Sequence, residues 1–169
     1  MKYILETLRL RLREFVPNDA AFIIELVNTR GWIENIGERN IHTTEEAIHY
    51  LENGPIKSYV QNGFGLWLVE RKDDNEPIGM CGILKRDYLD TPDIGFAFLP
   101  AYHSMGYAYE VADATVIHAR EQLNIPIMAA ITLAKNSSSI KLVEKLGLSF
   151  RRIVHVADTN EDLLLFSNE

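Results

Sequence analysis

Alternating hydrophobic and polar residues predict a strand near the start of the chain. From Thr7 to Glu14 the sequence TLRLRLRE places Leu8, Leu10 and Leu12 on one face and three arginines on the other. This period of two is typical of a half-buried strand. We therefore expect the first strand to span this whole segment.

Helix-start residues follow this strand at two places. Pro17, Asn18 and Asp19 precede the apolar run AAFIIELVN, and Thr43 opens TTEE, a capping box with a glutamate three residues on. The sequence predicts a helix after each start. The segment 31–42 is predicted to be a loop between the two helices.

Three runs rich in aliphatic and aromatic residues occupy the middle of the chain, at 63–71, 76–86 and 92–99. Turn residues at 72–75 separate the first two. Antiparallel strands can be joined by short turns, whereas parallel ones need a long crossover. The three runs are therefore predicted to form an antiparallel meander.

The pattern changes after Gly106, where apolar residues recur every three or four positions, as on an amphipathic helix. Asn124 and Pro126 would end this helix. The remaining predicted elements are a short strand at 127–133 and a helix in SSSIKLVEKL that Gly147 terminates. Two last strands follow, near 148–157 and 162–167. With no internal repeat or linker, these elements indicate one α+β or mixed α/β domain over 1–169.

Composition narrows the range of partners. The 169 residues carry 17 Lys plus Arg against 24 Asp plus Glu, a net charge of -7, so a uniformly basic surface for nucleic acid is excluded. Cys81 is the lone cysteine, and the amino terminus has no long apolar stretch of signal or membrane-spanning type. We expect a cytoplasmic protein that binds neither nucleic acid nor membrane.

Gly106 stands where a strand-like segment gives way to a helix. The first turn of a helix exposes unpaired N–H groups and the positive end of the helix dipole, and a glycine there lets an anion approach the backbone closely. Two common phosphate motifs do not account for this site. The chain has no GxxxxGK[ST], and its GxG at Gly63 and Gly65 leads into a strand.

The segment HSMGYA, at 103–108, resembles the Gln/Arg-x-x-Gly-x-Gly/Ala signature of the GNAT superfamily of N-acetyltransferases. Three further stretches resemble the same family in the right order: ETLRLRLREFVPNDA, PDIGFAFLP and NSSSIKLVEKLGL. ETLRLRLR and GYAYE are closest to the branch that acetylates ribosomal-protein amino termini. The chain departs from the pattern at His103, Ser104 and Leu148.

This resemblance implies a mixed, mostly antiparallel central sheet of six or seven strands, flanked by about four helices, with two central strands splayed apart. It also implies acetyl-CoA as co-substrate. The pantetheine arm would bind in the strand gap through the backbones of Phe98 and Leu99, and Asn136 would hydrogen-bond the same arm. The diphosphate would bind at the glycine turn, formed by Ser104, Met105, Gly106, Tyr107, Ala108 and Tyr109.

Two residues stand where the family has catalytic groups. Asp93 is similar in position to the glutamate general base of the histone-acetylating members, with a cap of the turn after Pro92 as its structural alternative. Many members carry a tyrosine acid where this chain has Val143. Ser139 is then the candidate group near the cofactor thiol, although it also fits an ordinary helix cap.

Trp32 and Glu34 are the candidates for the acceptor site, in a region that helps to shape it in this family. A core tryptophan and a solvated loop carboxylate are the alternatives for them. The histidines lack metal-ligand spacing, so no metal is expected.

The predicted function is acetyl-CoA-dependent acetylation of a primary amine, such as a protein N-terminal α-amine. A small amine as acceptor, or a non-catalytic CoA-binding module, remain alternatives. Monomer and homodimer both remain open.

Overall fold

All strands of the computed structural model, which describes residues 2–169, join one eight-stranded sheet. They are β1 (Tyr3–Glu6), β2 (Leu10–Arg13), β3 (Leu66–Arg71), β4 (Pro77–Leu84), β5 (Asp93–Phe98), β6 (Ala129–Thr132), β7 (Ser149–Val156) and β8 (Glu161–Ser167). Their order in the sheet is β1-β2-β3-β4-β5-β6-β8-β7. Only the β5–β6 pair is parallel within the described residues, so the mixed, mostly antiparallel sheet is confirmed.

The segment predicted as the first strand contains the turn of a hairpin followed by its second strand, β2. The turn removes Leu8 from the core. Thr7 N–H donates to the Leu10 carbonyl at 2.8 Å, and Leu10 N–H donates to the Thr7 hydroxyl at 3.1 Å. Leu8 lies in this turn and is 88% exposed. The expectation that it shares a buried face with Leu10 and Leu12 is wrong, because the turn interrupts the pleat. The additional strand also raises the predicted six or seven to eight.

The helices are α1 (Ala20–Val27), α2 (Arg30–Asn35), α3 (Thr44–Leu51), α4 (Lys57–Asn62), α5 (Tyr107–Gln122) and α6 (Ser137–Lys145). A π-helical turn, Glu52–Ile56, joins α3 to α4. The loop predicted across 31–42 is wrong at its start, because α2 occupies 31–35. This helix has only six residues, too few to show an apolar period, and the Thr29 hydroxyl caps it by accepting from Trp32 N–H.

The helices form a layer on each face of the sheet. α1, α2 and α3 pack with Leu68, Met80 and Leu99 on one face, and α5 and α6 pack with Trp67 and Ile83 on the other. Within residues 2–169 every helix is too short or too polar to cross a lipid bilayer.

Arg13 is buried although the alternation pattern places it on the polar face. Its two terminal nitrogens each donate to Asp19 at 2.8 Å, and its Nε donates to Glu70. A charge buried on this scale is tolerated only when it is paired and hydrogen-bonded. The network therefore holds the start of α1 against β2 and β3.

The central strands β5 and β6 separate almost as soon as they meet. A single pair, Asp93 with Ala129, joins them in register. The splayed pair of strands implied by the family resemblance is therefore confirmed, and the gap between them positions the candidate site.

Candidate active site

A cavity of about 770 Å³ opens where β5 and β6 separate. We call its two parts the α5 end and the α1 end. The α5 end is formed by the turn before α5, the first turn of that helix, and the start of α6. The α1 end is formed by α1, α2 and the segments that follow β4 and begin β5. The gap in the sheet therefore joins both faces of the protein.

At the α5 end the backbone is shaped to bind an anion. Gly106 is the N-cap of α5 with φ 79°, and Ser104 has φ 61°, so both lie in the left-handed region. The N–H groups of 106–109 have no acceptor within residues 2–169, and the first helical bond runs from Glu110 N–H to the Gly106 carbonyl at 3.1 Å. These donors and the helix dipole suit a diphosphate.

The gap between the strands leaves further backbone groups unpaired. Leu99 N–H donates to Ile78 at 3.0 Å, on β4, so alternate residues of β5 face the other way, toward β6. Phe96 and Phe98 therefore direct their amides into the gap, where β6 has already diverged. His103 Nε2 donates to the Phe98 carbonyl at 2.9 Å.

This geometry corrects one residue of the predicted set. The backbone of Leu99 is fully engaged, because its carbonyl also accepts from Tyr102 N–H at 2.9 Å. Phe96 and Phe98, by contrast, direct their N–H groups toward the gap. An extended amide-bearing chain can bind these groups in the manner of an added strand.

At the start of α6, Asn136 acts as the helix cap. Its Oδ1 accepts from Ser139 N–H at 3.2 Å and from the Ser138 hydroxyl at 3.0 Å. Asn136, Ser138 and Ser139 all line the cavity. Asn136 therefore has a structural role as the cap of α6, and its Nδ2 makes no hydrogen bond within the described part of the chain. Val143, at the family's tyrosine position, is 2% exposed.

The predicted catalytic carboxylate lies at the α1 end. Asp93 is 1% exposed, and Arg86 Nε donates to both of its oxygens, at 2.9 and 3.1 Å. Arg86 Nη1 also donates to the Tyr88 hydroxyl at 3.2 Å. Burial raises the pKa of Asp93 to about 6, although the nearby guanidinium favours the charged form. Asp93 is thus mostly ionised near neutrality and titrates just below it.

The two predicted acceptor residues lie in different surroundings. Trp32 is 5% exposed and lines the α1 end of the cavity, and its buried Nε1 has no hydrogen-bond acceptor among the described residues. Glu34 lies outside the cavity lining and pairs with Arg30 at 2.6 Å on the surface. The structure therefore brings Trp32, but not Glu34, to the cavity. Met105 also lies outside the lining, and is 50% exposed.

Sequence reasoning missed several polar residues at the α1 end, namely Arg39, Tyr50, Arg86 and Tyr88. The sequence could have indicated one of them, Arg86. The β4–β5 hairpin pairs Leu84 with Asp93, so Arg86 follows the strand just beside that carboxylate. Arg39 follows a helix that the pattern did not predict, and nothing in its local sequence indicates a cavity.

The other candidate chemistries find no support in the geometry. Cys81 is fully buried, and burial raises the pKa of its thiol to about 12, so it is a poor nucleophile. No group of three or more His, Cys, Asp or Glu within residues 2–169 is arranged to hold a metal ion.

A turn of free backbone N–H groups next to a gap in a mixed sheet fits a coenzyme A thioester. The profile of the acetyltransferase (GNAT) domain matches residues 9–149, and the chain belongs to this family. Among curated proteins, it is 28% identical to the uncharacterized N-acetyltransferase YoaA of Bacillus subtilis over 146 residues, covering 85% of this chain and 81% of that protein.

Solved structures share the fold at lower identity. A ribosomal-protein α-N acetyltransferase, RimL, solved in complex with coenzyme A, aligns with TM-score 0.83 at 15% identity and covers 98% of this chain and 97% of its own. A chimera of spermidine N-acetyltransferase from Vibrio cholerae and hSSAT aligns with TM-score 0.75 at 16% identity, covering 94% and 93%. At these identities the likeness shows the fold alone.

Proposed function

We propose that the protein transfers the acetyl group of acetyl-CoA directly to a protein N-terminal α-amine, within a ternary complex. The observation that carries this proposal is the state of Asp93, the buried carboxylate at the α1 end. It is held by Arg86 and has a pKa of about 6, so it is a weak base. Such a base suits an acceptor that needs little help to lose its proton.

The acceptor amines differ in how much help they need. With reference pKa values near ~7.7–8 for an α-amine and ~10.4 for a lysine side chain, about a tenth of α-amines are neutral at pH 7, against about one lysine in a few thousand. A base with a pKa of about 6 matches the first class far better than the second.

The residues of the α5 end fit the co-substrate. The free N–H groups of 106–109 would hold its diphosphate, and the amides of Phe96 and Phe98 would hold its pantetheine arm. Acetyl-CoA supplies an acetyl thioester, whose C–S bond is replaced by a C–N bond to the amine. The amine releases one proton and the departing thiolate takes one up.

Two side chains are assigned to these protons. Asp93 would accept the amine proton, through a water because its carboxylate is short and 1% exposed. Ser139, whose hydroxyl has no hydrogen-bond partner within the described residues, would donate to the thiolate at the α5 end. Trp32 would form a wall of the acceptor pocket.

The charges of the α1 end argue against a polyamine acceptor. The carboxylates in the cavity lining are Asp93 and Glu161, and Asp93 is already paired with Arg86. A second cation, Arg39, lines the same end. A polyamine would bring several positive charges to two arginines and one unpaired carboxylate. RimL and the spermidine enzyme share this fold, so the fold leaves the acceptor class open, and the charges favour the α-amine.

A panel of acceptors tests the proposal. The purified protein is incubated with acetyl-CoA and with short peptides, free amino acids or spermidine, and the release of free thiol is measured above the hydrolysis background. We expect the peptides with free amino termini to react fastest and the same peptides with blocked termini to be inert. Faster turnover of spermidine than of every peptide would contradict the proposed acceptor.

A free amino acid is the second candidate, because Arg39 has no ion-pair partner within residues 2–169 and is available to a carboxylate. The same panel separates the two candidates. Amidation of the carboxyl group should leave a peptide's rate unchanged and should abolish the reaction of a free amino acid.

A further inference from the structure

The turn between β1 and β2 lies against the N-terminus of α5, where Thr7 and Arg9 contact Glu110. Glu110 accepts from the Thr7 hydroxyl at 2.6 Å and from Arg9 N–H at 2.9 Å. Arg9 Nε donates to the other Glu110 oxygen at 2.7 Å. Arg9 also lies over the Tyr107 ring, 4.3 Å from its centroid. The segments ETLRLRLR and GYAYE, far apart in sequence, thus meet in one cluster.

Arg9 makes one further hydrogen bond, beyond those that hold the turn to Glu110. Its Nη1 donates to the Met105 carbonyl at 3.0 Å. A peptide unit is planar, and in its trans form the carbonyl and the N–H point in opposite directions. The bond to Arg9 therefore fixes the direction of Gly106 N–H. Gly106 lines the cavity, whereas Met105 does not.

We infer that Arg9 and Glu110 are a positioning pair, which orients the peptide unit between Met105 and Gly106 so that its N–H faces the diphosphate of the co-substrate. The inference deepens the proposed function, because it rests on the binding of CoA at the α5 end. Arg9 itself lies outside the cavity lining and acts through the backbone of the turn.

Charge supports this role for the pair. A carboxylate in the first turn of α5 would repel a bound diphosphate at short range. Glu110 is such a carboxylate, and its pKa is lowered, since its hydrogen bonds from Thr7 and Arg9 outweigh the effect of burial. Its charge is therefore permanent near neutrality. Arg9 neutralises it while using it as an anchor.

The space around Gly106 supports the same role. A Cβ added at Gly106 would lie 3.4 Å from Arg9 Nη2, so the guanidinium rests directly against the turn. The side chain is 43% exposed, yet three contacts hold it, to Glu110, Met105 and Tyr107. A long side chain is ordered in this way only when several interactions offset its entropy.

Calorimetric titration with coenzyme A and with pantetheine tests the inference. Pantetheine lacks the diphosphate, so a change confined to the turn should leave its affinity within about twofold. We expect Arg9→Met to weaken the binding of coenzyme A about tenfold, as loss of a hydrogen bond to a charged group does. Glu110→Gln should have an effect of the same direction. The double variant should bind about as Arg9→Met does, because the two residues act as one unit.

Arg11→Met is the matched control. Arg11 lies two residues further on, pairs with Glu70 at 3.1 Å and lies over the Tyr3 ring at 4.9 Å, on the same hairpin but away from the cavity. It should lose thermal stability as Arg9→Met does and keep its affinity for coenzyme A. Arg9→Lys retains the charge but loses the forked donors, and should bind as weakly as Arg9→Met.

Three results would overturn the inference: wild-type affinity of Arg9→Met or of Arg9→Lys for coenzyme A, an equal loss in Arg11→Met, or an equal loss of pantetheine binding. If Arg9→Met fails to fold, Glu110→Gln and Arg9→Lys carry the same test. A wild-type protein that binds coenzyme A but acetylates no amine would refute the proposed function and leave this inference standing.

Discussion

The two ends of the cavity are lined by different kinds of chemical group. At the α5 end the groups that face the cavity are mainly backbone, namely the N–H groups of 106–109 and the amides of Phe96 and Phe98. At the α1 end they are side chains from separate elements, among them Trp32, Arg39 and Asp93. A backbone site needs a local conformation, whereas a side-chain site needs several elements to meet.

This difference explains how each end can vary. Any side chain whose backbone adopts the turn leaves the donors of the α5 end in place, which is why His103 and Ser104 can replace the usual residues of the signature. At the α1 end a single replacement changes the charge or shape presented to the acceptor. We therefore expect co-substrate binding to tolerate side-chain changes that leave the backbone of the turn in place, and acceptor choice to be sensitive to side-chain changes at the α1 end.

The largest effect is expected at the α1 end, from Asp93→Asn. If Asp93 accepts the amine proton, kcat at saturating substrates should fall about 100-fold at pH 8, the scale of general-base catalysis. In the wild type kcat should decline as the pH drops through about 6, because Asp93 then becomes protonated. The variant should lack this decline, so the two profiles should converge at low pH. Stopped-time assays at a series of pH values measure kcat for both proteins. Parallel pH profiles of kcat would exclude Asp93 as the base.

Arg86→Met sharpens the same test from the other side. Removal of the guanidinium takes away the group that favours ionised Asp93, so the pKa of Asp93 should rise further and the acidic decline of kcat should move to higher pH. The KM for acetyl-CoA should stay within about twofold of the wild type. An unmoved profile would show that the pair does not set the catalytic pKa.

The next effect is expected at the α5 end, from Gly106→Ala. The positive φ costs an alanine about 1 kcal/mol, and the added methyl group would lie 3.4 Å from Arg9 Nη2, so it disturbs both the turn and the guanidinium that holds it, and coenzyme A should bind about tenfold more weakly. Gly147→Ala is the control, since Gly147 has φ 86° with open space around it and lies outside the cavity lining. Both variants should lose similar thermal stability. Equal affinity of the two for coenzyme A, by calorimetry, would argue against the diphosphate site.

A smaller effect is expected from Ser139→Ala, which removes the hydroxyl proposed to donate to the thiolate. kcat should fall about fivefold, with the KM for acetyl-CoA nearly unchanged, because water can replace a weak acid in part. Ser137→Ala is matched to it, as Ser137 starts the same helix outside the cavity lining. If both serine variants lose the same activity, the role of Ser139 is capping of the helix.

The smallest effect is expected from Glu34→Gln. Its partner Arg30 is 89% exposed in its side chain, and exposed pairs contribute little. The KM for the acceptor should change less than about twofold in steady-state assays. A larger rise in that KM would restore the original expectation that Glu34 belongs to the acceptor site.

The parts of the fold that the sequence predicted are those with a clear local period or a cap. The meander, α5, α6 and the end of α6 at Gly147 are examples. The wrong predictions arose where the local period was misleading or absent. Leu8 continues an alternation that the Thr7 turn interrupts, and α2 is too short to show a period.

The candidate site divides in the same way. Gly106 was predicted from its position between a strand and a helix, and Asp93 from its resemblance to the family's glutamate; both line the cavity. The pairing of Arg9 with Glu110, 101 residues apart, and the pairing of Arg86 with Asp93 were not found. The engaged backbone of Leu99 was missed as well, because the direction of each strand amide follows from the register of β4 and β5 and not from composition.

Apart from the turn at Thr7, the sequence by itself determined where the chain turns, which segments have an apolar face and where a helix offers free N–H groups to an anion, because these properties depend mainly on neighbouring residues. The tertiary structure decided which side chains share a cavity, what charge they leave unpaired and how far burial raises the pKa of Asp93. Those properties depend on distance and on exclusion of water, and only the packed sheet with its diverging strands sets either of them.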